Sequence, residues 1–142
     1  MAHYTYYFGA ARTSHFVDGS RADAVWIEKD AVWQPNQRWV YRSETNKRYV
    51  ISSVGSGGNP GSPMCFTGKT TNGTVCAGVI DESVTIYYPG PDVTLFDQAL
   101  MAACARPGDS GGPVYYAGAA HGILSGISID QNGVRARLYI QR

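Results

Sequence analysis

The stretch that decides how this chain is read is Gly108-Asp109-Ser110-Gly111-Gly112-Pro113. Three glycines and a proline within six residues form a turn, and Val114-Tyr115-Tyr116 leads out of it as a strand. A glycine-rich turn before a strand is the plain reading on composition. At average residue usage, however, the full hexapeptide has a chance expectation on the order of 1 in 100,000 for a chain of this length. That rarity makes Ser110 a candidate nucleophile rather than a turn filler.

Outward from this loop the sequence is a series of short apolar runs separated by turn signals. Residues 4–8, 23–27, 38–42, 47–53, 64–67, 74–80, 84–88, 113–116, 122–129 and 134–140 are expected strands. Gly55, Gly57, Gly58, Pro60, Gly61 and Pro63 make 55–63 a loop and the best internal boundary. Residues 95–105 (LFDQALMAACA) are rich in helix formers, yet an extended approach to the loop after them is preferred. Strands at this spacing point to an all-β barrel or sandwich.

The chain has 142 residues, 44% apolar and 16% charged, enough for one packed domain and too apolar for disorder. Twelve basic and eleven acidic side chains leave +1, which argues against nucleic acid or an anionic membrane as a partner. No run approaches the ~20 apolar residues of a membrane span, and the N-terminus lacks the basic-then-apolar order of a signal peptide. Three cysteines and three histidines lack the spacing of a metal site, so no metal or cofactor is expected. In an oxidising compartment Cys65 and Cys76 read as a disulfide worth about 3 kcal/mol, with Cys104 left over.

The hexapeptide resembles the nucleophile loop of the chymotrypsin-fold serine proteases. The segment from Cys65-Phe-Thr-Gly-Lys-Thr-Thr-Asn-Gly-Thr-Val-Cys76 to Ala-Gly-Val is similar to the bacterial secreted branch, the streptogrisin and α-lytic type. The resemblance runs from about Phe8 to Ile140 and is stronger in the second half. It implies an extracellular protein with two antiparallel β-barrels and the active site between them. Residues 1–54 would be a partial first barrel, 55–63 the connection, and 64–142 a nearly complete second barrel. It also implies that Cys65 and Cys76 pair. Cys104 stands where the branch has a bridged cysteine whose partner is absent here, so a buried, inert thiol is expected.

The same resemblance assigns roles. Ser110 is the nucleophile, and the N–H groups of Gly108 and Ser110 face the developing oxyanion. Asp109 is a buried carboxylate that locks the loop through an ion pair, with Arg106 as a partner. The triad order is His, Asp, Ser, and Asp23 is the best aspartate because a small residue and an apolar strand follow it. Asp18 is the alternative. Of the histidines, His121 follows the serine and His15 is too near Asp23. His3 follows Ala2 as the family's base follows an alanine or glycine, but it sits at a free terminus. The expectation is that the family's histidine would fall upstream of Met1, supplied by a missing N-terminal segment or a second chain.

The substrate wall is implied at Ala105, Leu124, Ser125, Gly126 and Ile127, with backbone groups of Ser125 and Ile127 meeting an extended peptide. No carboxylate occupies the pocket base, which argues against Arg or Lys specificity. Ile127, where relatives have glycine, implies small apolar residues before the cleaved bond. Two function classes compete: a serine endopeptidase acting on peptides or proteins, and an inactive relative that binds a peptide or partner protein. A glycan-binding domain has only the tyrosine and tryptophan content behind it.

Overall fold

Six strands close on themselves into a barrel, and the described strands before them are fastened to its outside. The computed structural model describes residues 9–21, 23–34, 38–55, 59–129 and 135–141. The expected strand over 4–8, and His3 with it, lies outside the described residues. The elements are β1 (Gly9–Phe16), β2 (Asp23–Lys29), β3 (Trp39–Arg42), β4 (Lys47–Val50), β5 (Ser53–Val54), β6 (Pro63–Gly68), β7 (Gly73–Tyr88), β8 (Val93–Met101), β9 (Pro113–Tyr116), β10 (Ala119–Ile129) and β11 (Arg135–Gln141). All are strands.

The ladder runs β11-β8-β7-β6-β9-β10, and the β10–β11 pairing joins its two ends. Closure removes the unpaired edges that an open sheet would leave. Antiparallel pairing throughout the ring lets alternate residues face inward, so Met64, Phe66, Val79, Ala99, Met101, Ala103, Ala105, Val114 and Leu124 form the core. Residues 95–101 of the 95–105 stretch are extended rather than helical, because β8 is sandwiched between β7 and β11 and six of its nine residues are buried. Tertiary pairing overrides its helix propensity.

Two expected strands, 74–80 and 84–88, are one bent strand. Bulges between Val79 and Asp81, Asp81 and Val84, and Val84 and Ile86 let β7 turn around the barrel without ending. Across β6 and β7, Cys65 stands opposite Cys76 and the two form a disulfide.

The N-terminal strands form two separate hairpins, β1–β2 and β3–β4, while β5 adds to β10 in parallel. The β3–β4 hairpin is held by Arg42, whose guanidinium donates from Nε to the buried Tyr115 hydroxyl (3.0 Å) and lies over the Tyr49 ring. The β1–β2 turn is fastened to β8. Gly19 donates to the Thr94 carbonyl (2.9 Å) and Phe96 to that of Ser20 (3.0 Å), while Gln98 Nε2 donates to that of Arg21 (3.0 Å). Asp18 accepts from the Thr94 amide (2.8 Å), so this aspartate serves the turn. These bonds set where β2 begins, and β2 begins at Asp23.

Candidate active site

The loop before β9 is built around a buried carboxylate. Asp109 is 1% exposed. Its Oδ1 accepts from the amides of Thr70 and Thr71 (2.8 Å each); its Oδ2 accepts from the Arg106 amide (2.8 Å) and from the Thr71 hydroxyl. Burial, the largest single influence, pushes this carboxyl's pKa up. The hydrogen bonds from Thr71, Arg106 and Thr70 together outweigh it and hold the pKa below the ordinary value. The expected ion pair with the Arg106 side chain is corrected here. Among the described residues Asp109 is bound by neutral donors, and Arg106 contributes its backbone.

Around that anchor the chain must turn sharply. Gly108 and Gly111 have φ of 98° and 85°, where a side chain is strained. A Cβ on Gly112 would lie 2.6 Å from the Thr67 carbonyl oxygen, and one on Gly68 would overlap the Asp109 carboxylate. Gly111 donates to the Leu124 carbonyl (2.8 Å) and Leu124 to that of Gly112 (2.9 Å), which ties the loop to β10. Asp109 and Gly112 amides are likewise engaged, on Arg106 and Asp109 carbonyls. The Gly108 and Ser110 amides, two residues apart, have no such bond among the described residues. Ser110 itself is exposed.

Ser110 and Asp23, distant in sequence, line one cleft of about 530 Å³ with Ser14, Phe16, Val25, Ile123 and Ser125. Ser125 Oγ donates to Asp23 Oδ2 at 2.7 Å. It sits at the register shift between Leu124 and Gly126, and a bulge of this kind re-aims a side chain out of the regular alternation. The hydroxyl of Ser125 therefore serves the carboxylate, while Gly126 is covered by the Tyr88 phenol. Ala105 and Leu124 are buried, and Ile127 packs against their cluster.

Neither described histidine lines this cleft. Ser14 and Phe16 face it, so His15 between them faces away, by the alternation of β1. His121 lies with its imidazole against Gly55. Cys104 corrects another expectation, because it is exposed. Its neighbours Ala103 and Ala105 take the inward positions, and alternation sends the thiol out.

Solved structures superpose on this architecture closely. The Nocardiopsis protease matches 94% of the chain with a TM-score of 0.78 and 24% identity. The chain has the fold of the chymotrypsin-like serine proteases. A chymotrypsin from Cellulomonas bogoriensis aligns over the same 94%, with a TM-score of 0.76 and 25% identity. Serine protease 1 of Rarobacter faecitabidus is 30% identical over 129 residues, or 90% of the chain. The chain spans 23% of that relative, and 66% and 67% of the two solved proteases. No protein-family model matches.

Thr70, Thr71 and Tyr88 were not singled out from the sequence. The Gly68-Lys-Thr70-Thr71 run was part of the resemblance to the chymotrypsin-like proteases, but nothing local tied it to Asp109, 38 residues away from Thr71. Tyr88 ends an ordinary strand and gives no signal at all.

Proposed function

We propose that this chain is the catalytic portion of a serine endopeptidase, cleaving peptide bonds through an acyl-enzyme at Ser110. What supports the reading is the cleft that Asp23 and Ser110 share, with Ser125 holding the carboxylate. In this reading Ser110 Oγ attacks the peptide carbonyl and a histidine in the cleft takes its proton. Asp23 orients that imidazole and stabilises its cationic form. The Gly108 and Ser110 amides receive the oxyanion, and the protonated base then releases the amine. Water reverses the steps on the acyl-enzyme. The histidine comes from outside the described residues, on a preceding segment or a second chain.

In this reading Ala105, Leu124, Ser125, Gly126 and Ile127 form the wall beside the substrate, with Leu124 and Ser125 lining the cleft. β9 ends its pairing with β10 at Ile123, which leaves the edge from Ser125 onward for an extended peptide. Ile127 narrows the pocket and selects small apolar residues; a peptide-library profile dominated by Arg or large aromatics would overturn that selection. The Cys65–Cys76 disulfide supports residence outside the cytoplasm.

The placement of His15 and His121 outside the cleft favours one second reading, a protease-like module that binds peptide without turnover. Labelling with a fluorophosphonate, with the segment or second chain that carries the histidine present, separates the two. Stoichiometric modification of Ser110, abolished by Ser110→Ala and Asp23→Ala, supports the endopeptidase. No labelling, with retained binding of extended peptides, supports the module.

A further inference from the structure

We propose that Tyr88 is a positioning residue for the Asp23 carboxylate, acting through Ser125. The inference rests on the reading of Asp23 as the group that orients the base. Tyr88 closes β7, and its phenol oxygen lies 3.0 Å from Ser125 Oγ. Ser125 Oγ in turn lies 2.7 Å from Asp23 Oδ2. Chemistry fixes the direction of this relay. An ionised carboxylate only accepts, so the single Ser125 hydroxyl proton goes to Asp23. The Ser125 oxygen is then left as an acceptor, and the Tyr88 O–H is the donor that fills it.

Two further contacts hold the phenol in place. The Tyr88 ring meets Phe16 edge-on, with centroids 5.5 Å apart and planes at 70°. Gly126 leaves the room it needs, since a Cβ there would lie 2.6 Å from the Tyr88 oxygen. Phe16 and Asp23 face each other across β1 and β2. The barrel and the hairpin that carries the carboxylate therefore meet through the same tyrosine, by its ring and by its hydroxyl. Without the phenol O–H, Ser125 is free to rotate toward other acceptors and the carboxylate loses its fixed direction.

The test compares Tyr88→Phe, which keeps the ring and its contact with Phe16, with Tyr87→Phe as a control. Tyr87 is exposed and its hydroxyl donates to Asp92 (2.8 Å). With the native near-UV circular dichroism retained, the Asp23 carboxyl 13C resonance is expected to move in Tyr88→Phe and to stay in Tyr87→Phe. In fluorophosphonate labelling of Ser110, the maximal rate is expected to fall about tenfold in Tyr88→Phe, the size of one hydrogen bond. The half-saturating probe concentration stays the same. A carboxyl resonance unmoved by Tyr88→Phe overturns the proposal. If neither the parent chain nor the variant labels when the segment or second chain carrying the histidine is present, the endopeptidase reading fails, and the resonance still decides whether Tyr88 positions Asp23.

Discussion

Replacing Asp109 with asparagine removes one negative charge and turns one acceptor into a donor inside a site that supplies only donors. Two orientations of the amide are possible. With its nitrogen in place of Oδ1 it would face the amides of both Thr70 and Thr71. With its nitrogen in place of Oδ2 it faces the Arg106 amide and the Thr71 hydroxyl. The second is better, because a hydroxyl can rotate to accept whereas the Arg106 N–H cannot. One buried donor stays orphaned, and the remaining bonds lose their charge assistance, for a combined cost of about 2–4 kcal/mol. Urea denaturation at pH 7 measures it as a lower midpoint at unchanged slope.

The pH dependence gives the experiment its sign. The folded-state pKa of Asp109 is held below its ordinary value of 3.8, so the unfolded chain takes up this proton first as pH falls. The stability it contributes is fully present above that ordinary value and is lost as pH drops through the lowered folded value. Asparagine does not titrate there. The gap between the parent chain and Asp109→Asn therefore holds from pH 7 down to about the ordinary value of 3.8 and narrows below it. A gap under about 0.5 kcal/mol at pH 7, or one independent of pH, would refute the hydrogen-bonding account of this loop; the first figure is the ordinary scatter of surface substitutions.

Reducing the Cys65–Cys76 disulfide costs about 3 kcal/mol on the loop-entropy model, read as a drop in urea midpoint with added thiol. Cys104, being exposed, reacts with an aromatic disulfide reagent in the native protein at one equivalent, and Cys104→Ala abolishes that reaction. Gly112→Ala places a Cβ 2.6 Å from the Thr67 carbonyl and destabilises the chain by at least about 1–3 kcal/mol, measured by thermal melting. Amide hydrogen exchange is faster in β1–β2 than in β6 and β8, because the hairpin exposes Val25, Trp26 and Ile27 while most residues of β6 and β8 are buried. Equal protection in both would show that something else covers the hairpin.

What could be read in advance followed from local physics. The apolar runs at 64–67, 113–116 and 122–129 are strands, and Met64, Phe66, Val114 and Leu124 from them enter the core. The polar Asp81-Glu82-Ser83 looked like a break, and is one only in register, since a bulge absorbs it. Isolated cysteines are usually buried, but at Cys104 the inward placement of Ala103 and Ala105 decides the direction and the thiol is exposed. The Thr70–Thr71–Asp109 and Tyr88–Ser125–Asp23 contacts join residues tens of positions apart, and no local pattern encodes such a distance. The site divides along the same line. Ser110 sits on a loop tied to a closed barrel, while Asp23 rides on a two-stranded ribbon, an element marginal by itself. Its turn is fastened to β8 and its first residue to Ser125. Holding the carboxylate in register with the hydroxyl is thus a task for a few named hydrogen bonds rather than for a core. Loss of any of them moves the site while the barrel stays folded.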